Sequence, residues 1–207
     1  MPLSTYAELK ESIQSWTKRV GDDILTVIPD FVALAESDIW AVLRVREMEN
    51  RTTLSTSTSD RFVALPTGFI KMRQLMITID SQLYDLEFVP LKGMHIFDSV
   101  GTPSQFSVTT QIEMNRTSDQ VYTLEIDYYR SLTALSNSNQ TNDILTNYPK
   151  IYLAGCLAHA FDWCRMPEDA SYWRGEFDKQ VAANNRKSRN GRFGPAPAMR
   201  INKGMVI

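Results

Sequence analysis

Arg51-Thr52-Thr53-Leu54-Ser55-Thr56-Ser57-Thr58-Ser59 is where the chain stops reading as helix and starts reading as sheet. Threonine and serine fill the stretch, and from here the apolar period moves from about 3.6 towards two. Downstream, residues 62–65, 69–79, 83–89, 106–114 and 121–129 read as short strands rich in β-branched and aromatic residues. Leu65-Pro66-Thr67-Gly68, Gly101-Thr102-Pro103 and residues 115–119 supply turns between them. In the last strand Leu124, Ile126 and Tyr128 share one face, and Glu125, Asp127 and Tyr129 the other.

Upstream the pattern is helical. Thr5 with Glu8 forms a capping box, followed by Tyr6, Leu9, Ile13 and Trp16, which predicts a helix from about Thr5 to Arg19, ended near Gly21. Pro29 is expected to open a second helix, with Phe31, Leu34, Ala35, Ile39, Val42 and Leu43 on its apolar face. So short a loop predicts an antiparallel hairpin, closed by the charged run Arg44, Arg46, Glu47 and Glu49. Beyond a polar link at residues 136–142, Tyr148-Pro149 starts an apolar helix to about Arg165. Pro167, Glu168 and Asp169 start another, through Trp173 and Phe177 to about Ala183.

The expected fold is therefore α+β: a bundle of two terminal helix hairpins with an inserted antiparallel β-unit, projecting from it, and an extended C-terminal arm. The boundaries fall at residues 1–50, 51–135, 136–185 and 186–207. Packing between the hairpins would account for most of Trp16, Trp40, Trp163 and Trp173, while Trp40 would also suit a neighbouring subunit.

At 207 residues and 43% apolar content the chain can bury a substantial core. The net charge of -2 hides an asymmetry: residues 181–207 carry six basic and no acidic side chains, leaving 16 basic against 24 acidic in the rest. An acidic body lacks the footprint of a nucleic-acid binder. The tail, broken by Gly191, Gly194, Gly204, Pro195 and Pro197, cannot form its own core, yet it ends in Met199, Ile201, Met205, Val206 and Ile207. An arm that docks on another subunit fits both features, and a floppy basic terminus fits the charge alone.

Cys156 and Cys164, eight apart on one helix, are separated by roughly 12 Å of rise and cannot bridge. Buried thiols suit an intracellular site of assembly. Neither a secretory leader nor a membrane span is expected, since no stretch approaches 18 apolar residues. His159 beside Cys156 lacks the further ligands of a zinc site, and His95 stands alone in a loop. The pairs Asp22/Asp23, Glu36/Asp38 and Glu47/Glu49 suit helix starts and solvated faces better than a divalent ion. No phosphate loop, nucleophile elbow or HExxH occurs, so neither catalytic residues, a metal nor a cofactor is expected.

Several stretches in a fixed order resemble the head-to-tail adaptor, or connector, proteins of tailed and especially short-tailed bacteriophages. They are residues 28–36, 43–49, Leu65-Pro66-Thr67-Gly68-Phe69, Ile126-Asp127-Tyr128-Tyr129 with Leu132, Leu135 and Ser136, and residues 148–155 with Ala158. The resemblance implies a non-enzymatic virion protein at the head-tail interface, assembled in the host cytoplasm. It implies identical subunits in a ring, commonly of twelve, under the portal protein. Such a ring extends the DNA channel, carries nozzle or fibre proteins, and lets double-stranded DNA pass at ejection without reading its sequence.

The basic arm, with Arg186, Lys187, Arg189, Arg192, Arg200, Met205, Val206 and Ile207, becomes the candidate portal-docking segment. Trp40, Arg44, Arg46, Glu47 and Glu49 become candidates for subunit or inter-region contacts. Competing readings are a tail-tube or other head-completion protein, a small DNA-binding module using the basic tail, and a metal-dependent enzyme.

Overall fold

The structure, a computed structural model, describes residues 3–19 and 21–191. Its elements are α1 (Tyr6–Thr17), α2 (Asp22–Val42), β1 (Glu49–Ser55), β2 (Phe62–Val63), β3 (Phe69–Ile79), β4 (Gln82–Asp85), β5 (Glu87–Phe88), β6 (Gln105–Val108), β7 (Ile112–Met114), β8 (Thr123–Arg130), α3 (Asp143–Asn147), α4 (Pro149–Trp163) and α5 (Pro167–Asn190). Two compact units result, one of residues Met1–Arg46 with Ala134–Ile207 and one of Glu47–Thr133. The class is mixed α+β.

In the helical unit α4 is the hub. It packs against α1, α2, α3 and α5, so the unit is organised around one central helix rather than around two self-contained hairpins. Ile151, Tyr152, Ala154, Gly155, Cys156, Leu157, Ala158, Ala160 and Phe161 are buried around its circumference, as a helix enclosed on most sides requires. Its small residues let neighbours approach closely: a Cβ on Gly155 would lie 3.1 Å from the Ala35 Cβ and 3.5 Å from the Phe177 ring.

Three helix boundaries differ from the sequence expectation. The capping box is present as expected, Thr5 accepting from the Glu8 N–H and Glu8 accepting in return, but α1 stops at Thr17 because Lys18 turns left-handed. Pro29 lies inside α2 instead of opening it. An interior proline costs about 3 kcal/mol, yet the stripe of Ile24, Ile28, Phe31, Val32, Ala35 and Ile39 runs unbroken past it into the core, and that burial outweighs the lost bond. At the other end α5 runs to Asn190, so Arg186, Lys187 and Arg189 are helical and not part of an extended arm. The cations of the last turn, Lys187 and Arg189, lie at the negative end of the helix dipole and favour this extension.

The β unit holds two four-stranded sheets, ordered β1-β8-β3-β4 and β2-β7-β6-β5. The first is antiparallel throughout, but β5 pairs with β6 in parallel, correcting the wholly antiparallel expectation. The stretch 83–89 does not stay in one sheet: β4 ends at Asp85, Leu86 is buried, and β5 joins the other sheet. The chain then needs the long segment 89–104 to return in parallel register.

Asp80 and Ser81, both at positive φ, make the two-residue turn between β3 and β4. Gly68, at φ 72°, makes the turn before β3 and accepts from the Ser131 N–H at 2.8 Å. Leu75, Ile77, Phe106, Ile112, Met114, Leu124, Ile126 and Tyr128 are buried together as the core.

One buried carboxylate joins three parts of the helical unit. Glu36 of α2 accepts from the Leu135 N–H at 2.8 Å and from the Tyr152 hydroxyl of α4 at 3.0 Å. Asn142 donates to that hydroxyl at 2.7 Å while its own oxygen caps α3. Burial pushes the Glu36 carboxyl above its ordinary 4.5, against the two donors that oppose the rise. The folded chain therefore holds this proton more tightly than the unfolded one. The stabilisation is fully present below the unfolded-chain value and is lost as pH rises through the raised one.

Urea midpoints measured from pH 4.5 upward should fall for the natural chain more steeply than for Glu36→Gln, which keeps an acceptor but cannot titrate; equal slopes would refute the assignment. Gly155→Val should lower unfolding stability by about 1–3 kcal/mol through overpacking, read from urea titration at fixed pH.

Candidate interaction surface

The exposed end of α5 is held to the end of α2 by side chains whose purpose the sequence did not disclose. The Arg44 N–H donates to Asn185 Oδ1 at 2.7 Å, and Asn185 Nδ2 donates to the Val42 carbonyl at 3.0 Å. The Arg44 guanidinium donates to the carbonyls of Trp40 (2.9 Å), Ala41 (2.8 Å) and Leu43. These are the carbonyls left without helical donors where α2 stops, so Arg44 is a cap placed at the negative end of the dipole. Arg46 Nη2 reaches the Gly191 carbonyl at 3.3 Å. Together these bonds fix the last turns of α5, from which Arg186, Lys187 and Arg189 project exposed.

Of the residues singled out from sequence, Trp40, Arg44 and Arg46 thus lie together in the helical unit, Trp40 half-buried. Glu47 and Glu49 belong to the β unit. Glu49 accepts from Arg73 Nη1 at 2.7 Å across the sheet. Beside it Arg51 of β1 donates to both oxygens of Asp127 on β8, at 2.6 and 2.9 Å, directly across the register. The Arg51 bond holds the Asp127 carboxyl below its usual range. Arg192, Arg200, Met205, Val206 and Ile207 lie outside the described residues.

The tryptophans correct the sequence reading most. None of the four is buried. Trp16, 53% exposed, sets its ring 5.2 Å from that of Trp173 in an edge-to-face contact, and Tyr172, 65% exposed, packs 5.3 Å from Trp173. Trp163, 40% exposed, touches Phe31 and lies beneath the Arg19 guanidinium. With exposed Met166, these side chains bring the end of α1 and the α4–α5 corner into an apolar, aromatic surface. Such clusters mark interfaces more often than scattered exposed residues do. The signal available in sequence was partial: Tyr172 sits off the buried stripe of α5, whereas Trp16 continues the stripe of Tyr6, Leu9 and Ile13 and is exposed in the last turn of α1.

Little in the described residues resembles a reaction centre. Among them no group of three or more His, Cys, Asp and Glu is placed to hold a metal ion. His159 Nε2 lies 2.8 Å from Asp38 Oδ2, linking α4 to α2. Cys156 and Cys164 are free thiols, Cys156 buried with its pKa pushed far up by desolvation. No described helix is long and apolar enough to cross a membrane.

A family model described as SU10 adaptor protein matches residues 4–199, and the chain belongs to that family, a head-to-tail connector with a structural role. No curated protein matches the chain.

Asn185→Ala removes one acceptor and one donor from the α2–α5 junction. It should lower stability by about 1–3 kcal/mol and raise amide exchange over the last turn of α5, measured by hydrogen exchange; unchanged exchange there would show that the junction does not hold the helix end.

Proposed function

We propose that this family member is a structural virion protein that forms a ring beneath the portal of a short-tailed phage. The ring extends the DNA channel and gives the nozzle or fibres a platform. Family membership over residues 4–199 is the observation that carries the reading. Twelve copies are proposed, to match the portal, with location at the head-tail interface after assembly in the host cytoplasm.

Two surface features support the assignment. A ring subunit needs complementary surface on two different faces, and the aromatic cluster of Trp16, Trp163 and Tyr172 offers apolar area of the kind lateral contacts bury. The basic end of α5, with Arg186, Lys187 and Arg189, is proposed as the portal-docking surface, continued by Arg192 and Arg200 in sequence. Arg44 and Arg46 act through it, fixing the helix from which these cations project. The acidic balance of the rest of the chain favours passage of DNA over retention.

Charge reversal of Arg186, Lys187 and Arg189 together should weaken binding to purified portal rings by at least about tenfold at low salt. The loss should shrink as salt screens the natural chain's advantage. Portal binding unaffected by the reversal would remove this surface from the proposal. Salt-sensitive binding to DNA, abolished by the same reversal, would favour the nucleic-acid reading instead. Trp16→Ala with Tyr172→Ala removes both edge contacts on Trp173 and should lower unfolding stability by about 1–3 kcal/mol, leaving the chain folded in urea titration while reducing self-association in sedimentation.

A further inference from the structure

On one side β3 is bonded to β8 from Phe69 to Ile77, but on the other β4 covers only Met76 to Ile79, with Leu86 adding one bond to the Leu75 carbonyl. Among the described residues, 70–73 therefore have a partner strand on one side alone. The facing sheet stops short as well, β5 covering β6 only at Gln105 and Phe106. The two gaps meet in one groove of about 440 Å3, lined by β3 from Phe69 to Arg73 and by Phe88, Phe106 and Val108.

The groove leaves part of the core uncovered. Phe69, Met72 and Val108 pack against the core cluster yet are only partly buried. Phe88, at the lip, is 57% exposed, with its ring 5.6 Å from that of buried Phe106. The other face of the same edge is cationic. Met72 stands opposite Tyr128, which belongs to the core, whereas Lys71 stands opposite Tyr129 on the other face. Arg73 shares that face, since it bonds Glu49 and its guanidinium lies 5.8 Å from the centre of the Tyr129 ring. Lys71 is exposed and makes no ion pair with the described residues.

We infer that this edge takes an extended segment of a protein other than this chain, added as a strand, in which apolar and acidic residues alternate. The free main-chain groups of residues 70–73 supply the pairing. Successive side chains of a strand point to opposite faces, so the apolar ones enter the gap beside Met72 and Val108. Those between them stand next to Lys71, where a carboxylate is the complementary neighbour. A segment of like charge is disfavoured there, which sets aside residues 192–207, with Arg192, Arg200, Lys203 and no acid. The acidic-apolar alternation of this chain, Leu124-Glu125-Ile126-Asp127-Tyr128, is already paired on both sides within β8.

Arg73 is already committed to Glu49 at 2.7 Å, so Lys71 is the cation that selects the sign of the incoming charge. The inference concerns the β unit alone. It needs neither the proposed ring nor the basic end of α5, and it gives the subunit a second docking surface for a partner distinct from the portal.

The test uses the full-length chain without portal protein, so its outcome is separate from that of portal docking. Three capped synthetic peptides serve as probes: one alternating glutamate and valine, one alternating lysine and valine, and one with the sequence of residues 192–207. Calorimetric titration reads affinity, and amide exchange reads the site. The glutamate peptide should bind at least about tenfold tighter than the lysine peptide at low salt and should slow exchange at residues 70–73. Lys71→Glu, at an exposed position, should remove that preference while leaving the urea midpoint of the chain unchanged. Equal binding of the first two peptides, a preference that survives Lys71→Glu, or no protection of 70–73 by the glutamate peptide would overturn the inference. So would stronger protection by the 192–207 peptide, which would make the occupant a second copy of this chain.

Discussion

An inserted unit can interrupt a helical one only if its two ends lie side by side, and the antiparallel pairing of β1 with β8 meets that condition. Glu49 faces Tyr129 and Ser55 faces Thr123 across seven paired positions, so the chain leaves and returns at one end of the ladder. β8 is bonded on both sides, to β1 and β3, and its Leu124, Ile126 and Tyr128 enter the core. Its other face carries the Arg51–Asp127 pair that fixes register. On return, Leu135 is buried and its N–H is taken by the buried Glu36, which stitches the second half of the helical unit to the first.

How much of this was legible depended on whether a feature was local. The Thr5–Glu8 box, the alternation of β8, the Gly68 turn and the apolar run of α4 are written in adjacent residues, and each stands where the sequence puts it. β1 carries no strand signal of its own, because Glu49-Asn50-Arg51-Thr52-Thr53 has no apolar alternation; its strand is specified by the partner, through Arg51 on Asp127 and Arg73 on Glu49. Pro29 misled because its local penalty is smaller than the burial of the stripe it interrupts. The short α3 is barely legible in sequence, its signal being a single Asn142 cap in a polar link.

The candidate surface was less legible than the fold. A charged run such as Arg44, Arg46, Glu47 and Glu49 reads equally as contact or cap, and only geometry shows Arg44 closing α2 and Glu49 bonded across a sheet. Aromatic residues read as core by default, yet Tyr172 is exposed because the buried stripe of α5 runs elsewhere, and Trp16 and Trp163 are exposed in the last turns of α1 and α4.

The central claim is that the chain assembles as a ring on a portal. Light scattering with negative-stain imaging, on the purified protein alone and mixed with portal rings, addresses it most directly. The account predicts that the 23.6 kDa chain is found in a ring of many copies stacked on the portal. A species that stays at the mass of one chain and leaves the portal bare would contradict it.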